Sequence, residues 1–228
     1  MKVSENLEVI QSQIAEACKK ANRSNEEVKI IAVTKYVSAE RTQEAIEAGV
    51  VNLGENRDEG LLEKIGQIKD KPIWHFIGTL QTRKVKNIID HVTYIHSLDR
   101  LSLAKEINKR AASKVNCLIQ VNASGEESKH GLEPEDVLDF VSELKQYSNI
   151  LVSGLMTMAP NTEDEQVIRD CFKTMKNLQG EIQSLKLDYA PCNELSMGMS
   201  NDFQIAVEEG STMVRIGTAL VGNESEVQ

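Results

Sequence analysis

One lysine and two glycine-centred stretches are the residues of this chain best suited to chemistry. Lys35 ends the apolar run Ala32-Val33-Thr34-Lys35. A lysine at the mouth of an apolar strand is partly desolvated, which lowers its pKa and frees a neutral amine to attack a carbonyl. Imine formation requires such an amine. Position alone describes a solvated lysine starting a loop at least as well. The stretches Ser196-Met197-Gly198-Met199-Ser200 and Arg215-Ile216-Gly217-Thr218 are close in sequence. Their glycines let the backbone approach a ligand closely, and exposed N–H groups with hydroxyls can surround a phosphate. Each stretch alone also reads as a glycine turn with capping serines. Asn56, His75 and Met156 likewise fall near the ends of apolar runs. His75 reads equally as a buried core histidine or as a pocket wall, and Met156 as a gap-filler.

These residues need a frame. Leu7, Ile10, Ile14 and Ala17 recur at helical spacing, so the chain opens with an amphipathic helix. Residues 28–34 are β-branched and nearly continuous, as in a strand buried on both faces. Ser38 suits a helix N-cap and Gly49 a helix end. Further strands are expected at 50–53, 73–77, 92–97, 115–121, 150–155, 194–196 and 213–216. Helical patterns separate them at 58–68, 82–90, 101–112, 134–146, 164–185 and 203–209. Alternation of this kind implies a parallel sheet, and eight strands favour closure into a single (β/α)8 barrel over residues 1–228. In such a barrel, functional residues gather where strands pass into βα loops, and phosphate is often bound after strands seven and eight. Lys35 and both glycine stretches occupy those places. The polar tail 223–228 is expected to fray.

Bulk properties narrow the function classes. The formal net charge is −9, which argues against nucleic acid as a partner. No apolar run approaches a membrane span and no secretory leader is visible, so no membrane association is expected. The four cysteines form no C-x-x-C pair, which suits a cytoplasmic protein with free thiols. None of the four histidines has the helical spacing of a metal pair, and no metal is assigned.

The motifs together resemble the YggS/PROSC family of pyridoxal 5′-phosphate (PLP)-binding proteins, the PLP homeostasis proteins. The matching segments are Ala32-Val33-Thr34-Lys35, Gly54-Glu55-Asn56-Arg57, Trp74-His75-Phe76-Ile77-Gly78, Ser128-Lys129-His130-Gly131-Leu132, Gly154-Leu155-Met156-Thr157-Met158, Leu195 to Ser200, and Val214-Arg215-Ile216-Gly217-Thr218. The resemblance implies a barrel like the N-terminal domain of alanine racemase and an internal aldimine on Lys35. It implies phosphate contacts from Ser196, Ser200, Gly217 and Thr218, Arg215 beside the pyridine nitrogen, and Asn56 near the ring. His75 and Met156 would line the pocket. One departure stands out: Leu80-Gln81-Thr82-Arg83-Lys84 carries arginine where the family usually has asparagine.

The resemblance further implies binding and intracellular homeostasis of PLP without efficient turnover, in a monomer that could pass PLP to apo-enzymes. The related racemases carry a C-terminal β-domain with a tyrosine base, and only six residues follow Gly222 here. Tyr36 is nearest the lysine, but adjacent strand residues point to opposite faces. A small PLP-dependent racemase and an aldolase-type barrel for a sugar phosphate remain the alternatives. Only the former would turn over an amino acid, and only the latter would lack visible absorption.

Overall fold

The structure is a computed structural model that describes residues 2–126 and 130–224. It opens with helix α1 (Val3–Lys20), whose Leu7, Ile10, Ile14 and Ala17 are all buried, as their spacing requires. Burial of each such leucine or isoleucine is worth about 1.5–3 kcal/mol. Asn6 of the same helix donates through Nδ2 to the Leu220 carbonyl at 2.9 Å, pinning α1 to the far end of the chain.

Eight parallel strands follow and close on themselves in sequence order. They are β1 (Lys29–Val33), β2 (Asn52–Glu55), β3 (Ile73–Phe76), β4 (Tyr94–Leu98), β5 (Val115–Gln120), β6 (Ile150–Met156), β7 (Glu194–Ser196) and β8 (Met213–Ile216). Closure is made by β1, which pairs with β2 on one side and β8 on the other. The intervening helices are α2 (Ala39–Glu47), α3 (Asp58–Gln67), α4 (Val85–Ile88), α5 (Leu101–Arg110), α6 (Val137–Glu143), α7 (Glu165–Ser184) and α8 (Phe203–Glu208), with α9 (Thr218–Val221) at the end. The (β/α)8 architecture expected from the alternation is therefore the one observed.

Local chemistry explains most boundaries. Ser38 caps α2 by accepting from the Arg41 N–H at 3.2 Å, and Gly49 takes up the left-handed φ of 103° that ends that helix. Strand β2 is shifted by two residues from the expected 50–53 to Asn52–Glu55, and its last residue, Glu55, is buried and paired. The stretches 82–90 and 134–146 are shorter α-helices entered through 3-10 turns. The tail is tied down as far as Glu224, whose carboxylate accepts from the Ser38 N–H at 2.5 Å, so fraying does not begin at Asn223. Residues 225–228 lie outside the described residues.

Two apolar layers result. Val214 and Ile216 face outward into the main core beneath the helices. Met213 joins Ile31, Leu118 and Met156 in a small cluster inside the barrel. Arg215 shares the inward parity of Met213, since alternate residues of a strand point the same way. The interior is thus partly polar: His75, His96, Ser196 and Arg215 are all buried.

Candidate functional site

A cavity of about 550 Å³ opens at the C-terminal mouth of the barrel. Lys35, Asn56, Met156, Ser200, Arg215, Gly217 and Thr218 all line it. Residues from both ends of the chain thus meet on one wall because β1 pairs with β8.

Lys35 sits just past β1. Thr34, the residue before it, is gripped on three sides. Its N–H donates to the Gly54 carbonyl at 3.0 Å, and its hydroxyl donates to Glu55 Oε1 at 2.5 Å. The Lys64 ammonium donates to the Thr34 carbonyl at 2.6 Å and to Glu55 Oε1 at 2.5 Å. Both members of this ion pair are buried. Of the two readings of Lys35, partly desolvated at a strand mouth or solvated at the start of a loop, the structure has the second, because β1 stops at Val33 and a turn carries the lysine past the rim. The same turn removes the strand alternation that would separate Lys35 from Tyr36. The Lys35 ammonium lies 4.7 Å from the centre of the Tyr36 ring, and both line the cavity.

Asn56 follows β2 and packs against Gly78, where any Cβ would overlap the Asn56 backbone. Gly198 adopts a φ of 95°, and its carbonyl accepts from the Arg215 N–H at 3.0 Å, joining the two glycine stretches. The Met199 N–H donates to Asp202 Oδ1 at 2.6 Å and closes the turn that presents Ser200. Thr218 begins α9 directly after Gly217, and the first N–H groups of a helix have no acceptor within it. The cavity therefore presents the Lys35 amine, the Arg215 guanidinium and several hydroxyls, those of Ser200 and Thr218 among them.

Ser196 and His75, expected on the wall, are not among its lining residues. Both point into the barrel one layer deeper and are fully buried. Ser196 Oγ accepts from Arg215 Nη1 at 2.6 Å and lies 2.9 Å from His96 Nδ1. His96 Nε2 is 2.9 Å from His75 Nδ1, and His75 Nε2 is 3.0 Å from Asn52 Oδ1. Arg215 Nη2 donates to the Thr157 carbonyl at 2.8 Å. Arg83 is exposed, bonds Gln81 at 3.0 Å and lies off the cavity wall.

Burial governs the charges here. It lowers the His75 pKa to about 3, with the Lys29 charge adding to the effect. Burial also holds His96 well below the ordinary imidazole range, assisted by His75 and Arg215. Arg215 is pushed down to about 10 by burial, opposed by Asp202, and so stays cationic near neutrality. The histidines make stability pH-dependent. An unfolded imidazole takes up a proton near 6.5, whereas folded His75 does so only near 3. The unfolded chain therefore binds more protons between those values. The stabilisation is complete above 6.5 and is lost as pH falls toward 3. His75 alone should remove about 2 kcal/mol between pH 6.5 and about 5. Urea midpoints at the two pH values check this, and equal midpoints would contradict it.

The family model described as "Alanine racemase, N-terminal domain" matches residues 6–225. A "Pyridoxal phosphate homeostasis protein" of Aquifex aeolicus is 41% identical over 226 residues, covering 97% of this chain and 98% of that one. The chain belongs to the pyridoxal phosphate homeostasis protein family. PipY of Synechococcus elongatus, solved with PLP bound, superposes with a TM-score of 0.84 at 30% identity, over 96% of this chain and 100% of that one. An alanine racemase of Clostridium difficile shares the fold at a TM-score of 0.75 and 17% identity, over 96% of this chain but 56% of its own.

Against this family background, several cavity residues were given no place in the site from the sequence. Tyr36, Gln120, Met158, Asn161 and Asp202 all contribute to the wall. His130, part of a family motif, lines it as well, and its carbonyl accepts from Gln120 Nε2 at 3.2 Å. Residues 127–129, which include Ser128 and Lys129 of that motif, lie outside the described residues. Among the described residues, no helix is long and apolar enough to cross a membrane, and the four cysteines are buried and form no disulfide.

Proposed function

We propose that this protein binds PLP through an imine on Lys35 and holds it for delivery to PLP-dependent apo-enzymes in the cytoplasm, without efficient turnover. The observation that carries the reading is the donor set of one cavity: an accessible amine at Lys35, a cation at Arg215, and hydroxyls at Ser200 and Thr218. A phosphorylated aldehyde with an aromatic ring nitrogen matches that set. Lys35 would hold the group at its aldehyde end, Arg215 would face the ring nitrogen, and Ser200 and Thr218 would face the phosphate. When bound, PLP supplies an aldehyde anchor and an electron-withdrawing ring.

Each residue has a separate task. Thr218, Gly217 and Ser200 hold the phosphate through hydroxyl and backbone donors. Asn56 borders the ring, and Met156 forms the apolar floor. Arg215 can only donate. It would donate a hydrogen bond to the pyridine nitrogen without transferring the proton, which a carboxylate there would hold on the ring. That disfavours demanding carbanion chemistry and suits a carrier. The relatives' designation as homeostasis proteins supports the same choice.

Titration of the purified protein with PLP tests the reading. Thr218→Ala should weaken affinity about tenfold, the scale of one charge-assisted hydrogen bond, without moving the absorption maximum. Unaltered affinity would remove Thr218 from the phosphate site. Conversion of an amino acid by the loaded protein at enzyme-like rates would overturn the carrier role.

A further inference from the structure

The barrel interior holds a continuous polar chain that the cavity alone does not explain. It runs from Arg215 through Ser196, His96 and His75 to Asn52, with each link between 2.6 and 3.0 Å. Five strands contribute: β8, β7, β4, β3 and β2, with Asn52 at the start of the last. It therefore spans the barrel from the cavity at the C-terminal mouth to the opposite end.

The direction of its hydrogens is set at both ends: Asn52 Oδ1 can only accept, so His75 Nε2 must donate to it, and Arg215 can only donate. A guanidinium has donors only. Ser196 Oγ must accept from it and can then donate its single hydrogen to His96 Nδ1. His96 thus carries its proton on Nε2 and donates to His75 Nδ1. His75 in turn carries its proton on Nε2 and donates to Asn52 Oδ1. Every donor points away from the arginine, and every lone pair points toward its charge. Such a chain is cooperative, each bond polarising the next. The His75 ring is further fixed by stacking on Tyr94, at 4.6 Å and 3° between planes. The second inward donor of Arg215, Nη2, is fixed by the Thr157 carbonyl at 2.8 Å.

We propose that His96 is a positioning residue that, acting through Ser196, immobilises the Arg215 guanidinium so that its remaining donors face the cavity. With both inner nitrogens held, the group cannot rotate about its terminal bonds or swing toward solvent. Loss of the His96 acceptor leaves the Ser196 hydrogen without a partner, and Ser196 then turns to compete for its neighbours. The ligand-free part of this inference stands on the hydrogen-bond chain alone. Its consequence for PLP rests on the cofactor reading above.

Nitrogen-15 NMR of the full chain without ligand, followed by PLP titration, tests it. The native protein should show His96 as the Nε2–H tautomer and separate, slowly exchanging Nη signals for Arg215. His96→Leu should merge those Nη signals, weaken PLP binding about tenfold and move the visible absorption maximum. His96→Asn, whose side-chain oxygen replaces the Nδ1 acceptor, should restore all three. A native His96 protonated on Nδ1 would overturn the proposal without any variant. So would Leu and Asn variants that behave alike. If the native protein binds no PLP, the cofactor reading fails, while the Nη signals still decide the role of His96.

Discussion

Lys35→Ala is expected to abolish the visible absorption of the PLP-loaded protein and to weaken PLP binding by about 10²-fold, or about 2.7 kcal/mol. The reason is chemical: Lys35 is the amine whose exposed position in the turn after β1 brings it to the cavity. Residual binding should persist, because Arg215, Ser200 and Thr218 are untouched and still address the ring and the phosphate. That residue of affinity should fall further when inorganic phosphate is added as competitor. The fold should be indifferent to the change, since Lys35 contributes no buried contact. A variant that keeps the visible band would show that another amine carries the link.

The second large effect is structural and lies at Lys64, nine residues beyond Glu55 of the Gly-Glu-Asn-Arg stretch. Lys64→Met removes the partner of Glu55 within a buried pair, where both side chains are almost wholly covered. Breaking such a pair by deleting one charge costs about 3–5 kcal/mol, because the remaining charge stays buried. For a chain of this size that corresponds to a fall in Tm of roughly 10 °C. The Lys64 ammonium also fixes the Thr34 carbonyl, so the turn bearing Lys35 loosens and PLP affinity should fall with it. The double variant Lys64→Met with Glu55→Gln should recover much of the stability, since no lone charge remains. Thermal melts of the two variants separate the charge effect from packing. Equal losses in both would show that the methionine simply fits badly.

The fold was legible because most strands are short β-branched or apolar runs and the longer helices carry an apolar period. Even the weak strand β7, three residues long, emerged where Glu194–Ser196 suggested it. The cavity was legible at the strand ends, where Lys35, Asn56, Met156, Ser200, Arg215, Gly217 and Thr218 converge. What sequence could not reveal was depth. His75 and Ser196 stand at the right strands but one layer lower, and no local pattern distinguishes a wall residue from an interior one. Their partner His96 gave no signal of its own, because its role depends on contacts across four strands. The Lys64–Glu55 pair was hidden for a different reason. An i, i+9 spacing matches no helical or strand period, and only the packing of α3 on β2 brings the charges together. Tyr36 was misjudged by applying strand alternation to a residue already in a turn.

The most direct test of the central claim is the visible spectrum of the native protein with PLP, before and after borohydride reduction, with peptide mapping of the reduced adduct. A band typical of a protonated imine, bleached on reduction and mapped to the peptide containing Lys35, is the expected result. No band after PLP is added, or an adduct on any other lysine, would contradict the assignment of Lys35 as the anchor.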